Sequence, residues 1–412
     1  MDMTKLEKAI REAWAFSTQK LYYPKTHQIY DYLTCDTLEE TVCQLPTKEE
    51  IEASFPNPCG WGTGMEDSTL SLCPLLEAAL AKYAVTGDET MKQWVYDLAQ
   101  GLIINGTASE EKGFIARAVD PVEGKYIYMD SSRDQYTNWV FAAHLLINSP
   151  LTDPEQEKKL REILVWVAEK AERDITPEND GYFLRLDGKP GVVSRMDSEE
   201  LGSHEVLRLS MIYAAAYEAS GDPHWQEMYL SVRDRLLEQT EKTLTVAWWV
   251  NYARGGGYVY GLYQHQYSAR LLWDCEKDDV YKARYWELMR RAAVASQAYL
   301  EMAYEVIDQL CIDEPKAKPW READFHTMGL IHGRSYFMPR IFDSGRISIS
   351  KNMRNASEVV VIQCLCPGYT MTEETKAMFC EFVERAHFSA AANYWPILFC
   401  DAWWLARREG QL

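Results

Sequence analysis

Two kinds of helical segment alternate along the chain. Residues 66–88 (EDSTLSLCPLLEAALAKYAVTGD) and 198–222 (SEELGSHEVLRLSMIYAAAYEASGD) are apolar on most sides, whereas residues 153–174 (DPEQEKKLREILVWVAEKAERD) have a polar face. A helix that is apolar nearly all round is buried, and a helix with an apolar stripe covers it. Strand signals are short, as in GYFLRL (181–186) and GYVYGLY (257–263). The pattern predicts an all-α protein built from pairs of buried and covering helices.

The predicted buried helices recur at a nearly constant interval of 61 to 68 residues. Their starts lie near Asp67, Asp134, Asp197, His265, His326 and Asn393. Six such pairs fill residues 1–412 as a single domain, and they predict an (α/α)6 toroid of six helical hairpins with short β-hairpin-like loops at the cleft. An open solenoid of helix pairs is the competing arrangement, but its repeats are usually shorter, roughly 34–47 residues.

Two loops that precede predicted buried helices share the pattern G-[FY]-x-x-R, at residues 113–117 and 181–185. With the period and the richness in aromatic residues, this pattern resembles the six-hairpin glycosidase superfamily, and within it the bacterial unsaturated glucuronyl and rhamnogalacturonyl hydrolases. The resemblance spans essentially the whole chain. It implies an (α/α)6 barrel and hydrolysis of oligosaccharides that contain uronic acids, including unsaturated ones. For an unsaturated substrate it implies hydration of the double bond by a single aspartate.

Three of the predicted helix starts carry an aspartate at an equivalent position. The segments GMEDS, SSRDQ and SRMDS align Asp67, Asp134 and Asp197. Glycosidases need two carboxyl groups, one that donates a proton and one that acts as base or nucleophile. We therefore expect the catalytic pair among these aspartates and Glu200, with Asp134 first because Arg133 precedes it. Helix capping is the alternative role, since an aspartate at a helix start accepts hydrogen bonds from free backbone N–H groups.

Histidines offer a second candidate chemistry. His204 lies one helical turn after Glu200, so the two can share a face and act in general acid/base catalysis. His265 is a candidate for the cleft lining. For both histidines a structural role is the alternative. HEVLR (204–208) lacks the second histidine of a zinc HExxH motif, and no CxxC pair occurs. We therefore predict no metal and no cofactor.

Arginines and aromatic residues are the candidate binding groups. Guanidinium groups bind carboxylates bidentately, so arginines at the cleft mouth favour an acidic sugar; pairing with local Asp and Glu is the alternative. The arginines in or beside the predicted loops are Arg117, Arg133, Arg185, Arg195 and Arg254. Aromatic rings can stack on sugars or simply fill a core. The candidate platforms are Trp61, Tyr136, Tyr394 and Trp395.

Composition and charge limit the classes of binding partner that the sequence allows. The formal net charge of −19 argues against a nucleic-acid surface. No apolar run approaches the roughly 20 residues that span a bilayer, so no membrane is expected. The N-terminus, MDMTKLEKAIREAW, is charged and amphipathic, unlike a signal peptide. With ten scattered cysteines, this favours reduced thiols in the cytoplasm; a removed leader would make the protein periplasmic. The expected partner is an oligosaccharide, and monomer and homodimer both stay open.

Three functional classes remain after these steps. The first is a glycoside hydrolase that acts on uronic-acid-containing oligosaccharides with a carboxylate pair. The second is a sugar epimerase or isomerase on the same toroid, which would use histidines as acid and base. The third is a non-catalytic carbohydrate-binding protein. The predicted helix starts are richer in Asp than in His, which favours the first class.

Overall fold

The computed structural model describes residues 3–332, 334–342 and 344–412. The helices are α1 (Met3–Phe16), α2 (Leu38–Val42), α3 (Lys48–Glu52), α4 (Ser68–Thr86), α5 (Thr90–Thr107), α6 (Arg133–Ile147), α7 (Pro154–Asp174), α8 (Ser203–Ser220), α9 (Pro223–Thr243), α10 (Val246–Arg254), α11 (Tyr260–Cys275), α12 (Asp279–Tyr304), α13 (Ile307–Leu310), α14 (Ser344–Leu365), α15 (Glu373–Arg385) and α16 (Trp395–Arg408). The strands form three antiparallel hairpins, β1 (Tyr22–Tyr23) with β2 (Gln28–Ile29), β3 (Tyr182–Leu184) with β4 (Pro190–Arg195), and β5 (Phe325–Ile331) with β6 (Arg334–Pro339).

Six helices form a closed inner ring. In ring order they are α4, α6, α8, α11, α14 and α16, and α16 packs against α4 to close the circle. These helices are buried on nearly all sides; α6, for example, buries every residue from 135 to 144. Burial all round is what an inner helix requires, because neighbours cover each of its faces. The predicted (α/α)6 toroid is confirmed.

The outer layer is built from both ends of the chain. Helices α5, α7, α9, α12 and α15 each follow an inner helix, but the sixth outer helix is α1, which packs on α16 and α15. Trp14 of α1 also meets Trp94 of α5 edge to face, with ring centroids 6.0 Å apart. The toroid is therefore closed by the N-terminal helix lying against the C-terminal one, and the sixth pair is not a hairpin.

Several predicted boundaries need correction. Inner helices begin next to Asp67 and Asp134, but α8 begins at Ser203, six residues after Asp197, and His265 lies within α11. His326 belongs to β5 and not to a helix, because β5 pairs with β6 as an antiparallel hairpin. This insertion delays the fifth inner helix and makes the repeat uneven.

The two predicted strand segments had different outcomes. GYFLRL contains β3, which pairs with β4, whereas GYVYGLY lies in no described strand and leads into α11. Val193 of β4 bridges to Ser132, immediately before α6. A β-hairpin therefore reaches the end of the ring at which the inner helices start.

Helix boundaries follow local capping chemistry. α4 and α8 end at Gly87 and Gly221, both with positive φ (66° and 68°), a backbone conformation that costs glycine little. At the start of α7, the Asp153 side chain accepts from the backbone N–H groups of Glu155 (3.0 Å) and Gln156 (3.3 Å), and proline follows at the first helical position.

Replacing Asp153 with alanine should lower the free energy of unfolding by about 1 kcal/mol, because two N–H groups of α7 lose their acceptor. Thermal denaturation followed by circular dichroism would report this as a lower Tm. Asp153→Asn keeps a capping oxygen and should stay near the parent. Equal losses in both variants would mean that the charge, and not the cap, matters at this position.

In the described part of the chain, no helix combines the length and apolarity needed to span a membrane. All ten cysteines are free; Cys43 is exposed and most of the others are buried or half-buried.

Candidate active site

The inner helices point their N-termini at a central cleft made of two adjoining chambers. The outer chamber has a volume of about 550 Å³ and the inner chamber about 160 Å³. Asp134, Tyr260 and Arg354 line both, so the two chambers meet at these three residues. The outer chamber is otherwise lined by Arg133, His204, Arg208, Trp248, Trp249, Tyr252, Tyr258 and Gly261. The inner chamber is otherwise lined by Trp61, Asp67, Leu70, Arg117, Ser132, Val193 and Tyr394.

Asp134 lies in the first turn of α6 but does not cap it. The cap is Ser132, whose hydroxyl accepts from the backbone N–H of Gln135 (3.3 Å). The Asp134 carboxylate instead accepts from Nη1 of Arg208 at 2.5 Å. Burial by itself raises the pKa of Asp134, but the charges of Arg208 and Arg133 outweigh burial, and the pKa is lowered. Asp134 is therefore held as a carboxylate.

Asp67 occupies the cap position of α4, yet its side chain makes no capping bond. It accepts from Nε2 of Gln135 (2.8 Å) and from Nη1 of Arg117 (3.4 Å). Burial raises the pKa of Asp67; Arg117 opposes this shift and the charge of Asp134 adds to it. The two cleft aspartates thus have pKa values displaced in opposite directions, and neither side chain serves as a helix cap.

Backbone hydrogen bonds fix the position of Asp67. The buried Asp31 carboxylate accepts from the backbone N–H groups of Glu66 (2.8 Å) and Asp67 (3.1 Å). Burial, and after it the charge of Asp67, raises the pKa of Glu66 to about 8. Tyr260 lines the inner chamber together with both cleft carboxyl groups, and burial and then the charges of Asp134 and Asp67 raise its pKa well above the ordinary value.

Guanidinium groups surround the two aspartates. Arg117 is buried and donates to the carbonyls of Asp130, Glu66 and Ser131 as well as to Asp67. Arg354 donates to Glu358 (2.9 and 3.1 Å) and lies over the rings of Tyr260 (4.9 Å) and Tyr394 (5.2 Å). These contacts hold the guanidinium planes rigidly against the cleft.

One N–H group of Arg133 has no hydrogen-bond acceptor among the described residues. Arg133 pairs with Glu205, and this N–H group, at Nε, is buried. Burial, and then the charge of Arg208, lowers the pKa of Arg133. A buried N–H without a partner is costly unless a ligand or water meets it.

The two candidate histidines differ in placement. His204 lines the outer chamber, and burial lowers its pKa to about 4, so the imidazole is neutral near pH 7. His265 is fully buried within α11 and lies within hydrogen-bond distance of the Ser203 carbonyl (3.2 Å). Burial also lowers the pKa of His265 to about 4. His265 does not line either chamber.

Two predicted carboxylates lie outside the cleft. Asp197 is held bidentately by Arg235 of α9 (2.8 and 2.7 Å), in a surface groove. Glu200 is exposed and accepts from Arg195 at 2.9 Å, which in turn binds Asp180. The predicted placement of Asp197, Glu200 and Arg195 in the cleft is wrong, because the loop between β4 and α8 turns toward the outer layer.

Other candidates divide between cleft and core. Trp61 and Tyr394 line the inner chamber. Arg185 donates two hydrogen bonds to Asp187 of its own hairpin, and Arg254 is an exposed residue at the end of α10.

Two of the aromatic candidates are core residues. Tyr136 stacks on Phe183 with ring centroids 4.1 Å apart, and Trp395 is buried with its Nε1 donating to Glu314 at 2.8 Å. The candidates that do not line the cleft are therefore Arg185, Arg254, Tyr136 and Trp395.

Sequence reasoning missed Arg208, Arg354 and the aromatic residues of α10. Arg208 lies in the second turn of α8, between apolar residues, and Arg354 lies in the third turn of α14. For Arg208 the sequence held a signal, because an arginine inside a helix that is otherwise apolar must find a buried partner; Arg354 lies in the polar stretch SKNMRNAS and gave none.

A second polar cavity, about 680 Å³, lies at the opposite end of the ring. His144, Glu218 and Cys275 bring possible metal-ligating atoms within 4.8 Å of one another there. The His144 and Glu218 side chains are hydrogen-bonded at 2.6 Å. Burial opposes a charged imidazole, but hydrogen bonds to Asp274, Cys275 and Glu218 outweigh it and raise the pKa of His144 well above the ordinary value. The cluster is an ion-paired link between α6, α8 and α11.

No protein-family model matches the chain, and no curated protein sequence matches it. Among solved structures, the chain is similar to an inactive variant of an alpha-1,6-mannanase of Salegentibacter sp. HEL1_6, in which two aspartates are replaced by asparagines, in complex with alpha-1,6-mannotriose. The two chains are 11% identical, the match covers 99% of this chain and 98% of that chain, and the TM-score is 0.44. The class of protein, an (α/α)6 toroid with an acidic pair in its cleft, rests on the helix packing and on the cleft itself.

Proposed function

We propose that residues 1–412 form one catalytic domain, a six-hairpin glycoside hydrolase that acts on uronic-acid-containing oligosaccharides. One observation carries the proposal: Asp134 and Asp67 share a cleft, and their pKa values are displaced in opposite directions. Paired titratable groups with divergent environments mark the acid and the base of an enzyme. Glycoside hydrolysis is the reaction that uses two carboxyl groups in these roles.

The opposite pKa shifts of Asp134 and Asp67 suggest which residue acts as base and which as acid. Asp134, kept ionised by Arg208 and Arg133, acts as base or nucleophile. Asp67, whose pKa is raised by burial, is the group we assign as proton donor to the leaving glycosidic oxygen. For an unsaturated uronic acid, the family resemblance implies hydration by a single aspartate, and Asp134 is the residue we assign to it.

The guanidinium groups of the cleft support an acidic sugar. Among the described residues that line the two chambers, four carry a guanidinium group and two carry a carboxyl group. Glu205 and Glu358 pair with Arg133 and Arg354 from outside the lining, so the cleft offers a substrate carboxylate directed donors and not a net positive charge. The unused Nε of Arg133 offers a donor for a substrate carboxylate or hydroxyl.

A turnover screen tests the proposal. Saturated and unsaturated uronic-acid oligosaccharides would be incubated with the protein and the products separated by size, with neutral alpha-1,6-mannotriose as the uncharged comparison. We expect release of a free uronic acid and little action on the neutral sugar. Cleavage of the neutral sugar alone would overturn the uronic-acid assignment, and no cleavage of any sugar would overturn the hydrolase.

The rate should depend on pH as a bell-shaped curve. As pH falls through the lowered pKa of Asp134, the base becomes protonated and kcat/KM declines; as pH rises through the raised pKa of Asp67, the proton donor is lost. A pH profile of kcat/KM would show both limbs. An aryl uronide with an acidic phenol needs no proton donor, so its alkaline limb should disappear. An unchanged alkaline limb with that substrate would contradict the role of Asp67.

A sugar epimerase or isomerase is the second candidate, and one observation favours it. His204 faces the outer chamber as a neutral imidazole, which is the form that accepts a proton. In that case the products would keep the size of the substrate and His204→Gln would abolish their formation. Release of a smaller sugar that persists in His204→Gln would exclude this candidate.

A further inference from the structure

Helix α10 carries an aromatic surface that the catalytic proposal does not use. It lies between α9 and α11, outside the alternation of inner and outer helices. Its Trp248 and Tyr252 are 53% and 42% exposed, and their rings stack with centroids 5.2 Å apart and planes 17° from parallel. Both line the outer chamber. Their exposure means that core packing does not account for them.

The surrounding residues hold this stacked pair in place. Trp249 is buried beneath it, meets both rings edge to face, and directs its Nε1 to the Ser203 hydroxyl at 3.4 Å. Gly257 passes so close that a Cβ atom there would lie 2.5 Å from the Tyr252 ring. The stacked pair Trp248 and Tyr252, called the platform below, is therefore fixed before any ligand arrives, which lowers the entropic cost of binding.

The platform is continuous with the proposed catalytic groups. The same chamber contains Arg133, Asp134 and His204, so a ligand that reaches Asp134 through the outer chamber passes the stacked pair. Flat amphipathic rings beside charged donors suit a pyranose, whose C–H face packs on an aromatic ring while its hydroxyl groups bind polar side chains. The inner chamber, about 160 Å³, leaves little room for more than the sugar at the catalytic pair.

We propose that Trp248 and Tyr252 form a second sugar-binding position, which holds the ring next to the one bound at Asp134 and makes the protein select oligosaccharides over single sugars. The inference rests on the proposed function for the identity of the ligand. It adds the location of the second sugar and a preference for longer chains.

Binding of a length series tests it. Calorimetry in an Asp134→Asn background, which prevents turnover, would compare uronic-acid oligosaccharides of one to four sugars. We expect affinity to rise with length until the platform is filled. Adding Trp248→Ala or Tyr252→Ala should weaken binding of the longer chains by about tenfold and flatten the length dependence. Tyr217→Ala is the matched control for Tyr252→Ala, since Tyr217 is 37% exposed but lies near the C-terminal end of α8, away from the cleft.

The outcomes separate this inference from the hydrolase. Two outcomes overturn the platform even if hydrolysis occurs. In the first, affinity rises with chain length equally in the parent, in Trp248→Ala and in Tyr252→Ala. In the second, affinity does not depend on chain length in the parent. Length-dependent binding that both substitutions remove supports the platform. If the protein with Asp134 intact then cleaves none of these sugars, the proposed hydrolase activity is contradicted and the proposed platform is still supported.

Discussion

Replacing Asp134 with asparagine should reduce kcat/KM on a uronic-acid oligosaccharide by at least about a thousandfold, because an amide can neither accept the proton nor attack the sugar. The fold should survive with a lowered Tm, since the amide oxygen still accepts from Arg208 but no longer neutralises it, and Asp134 does not cap α6. Initial rates at substrate concentrations below KM, with circular dichroism and a melting curve, would check both expectations.

Asp197→Asn is the matched control for this experiment. The segments SSRDQ and SRMDS place the two aspartates at equivalent positions, but Asp197 is paired with Arg235 outside the cleft. We expect the Asp197 variant to retain the parent rate. If Asp134→Asn kept most of the activity, or if the two variants lost it equally, the assignment of Asp134 would be wrong.

The architecture could be predicted because the inner helices have long apolar sequences, which indicate burial on all sides. The apolar runs after Asp67 and Asp134 continue for several turns, and only a helix enclosed by neighbours tolerates that composition. The prediction failed at His326 because a short stretch rich in aromatic residues has no periodicity that distinguishes a strand from a buried helix. It also missed the role of α1, since a local pattern cannot show that the two chain termini meet.

The site could be predicted only in part, for a related reason. The sequence predicts that residues at helix starts face the cleft, and Asp67 and Arg133 do line its chambers. Arg208 and Arg354 instead reach the cleft from inside their helices, and Asp197 is bound by Arg235 of α9, the outer helix of its own pair, 38 residues further along the chain. These placements depend on contacts between distant segments, which the spacing of residues along the chain does not encode.

Arg208→Met should affect both stability and the pH dependence of the rate. Arg208 is 2% exposed, and its removal leaves the Asp134 carboxylate without its nearest counter-charge. Breaking a buried ion pair on one side costs about 3 kcal/mol or more, so the Tm should fall clearly. Burial is then less opposed and the pKa of Asp134 rises, so activity near neutral pH should drop on the order of a hundredfold, and the remaining optimum should lie at higher pH and be narrowed by the alkaline limb of Asp67.

The pH profile distinguishes an electrostatic role of Arg208 from a merely structural one. If Arg208 keeps Asp134 ionised, the acid limb of kcat/KM moves to higher pH in Arg208→Met and partly returns in Arg208→Lys, which restores the charge without the planar fork. Arg195→Met removes a cation that lies outside the cleft and should leave the limb where it is. A rate that falls equally at every pH in Arg208→Met, with the acid limb unmoved, would mean that Arg208 supports the fold of the cleft without setting the charge of Asp134. The assignment of Asp134 as the base would then lose its electrostatic basis, because the lowered pKa of that carboxyl depends on the guanidinium that faces it.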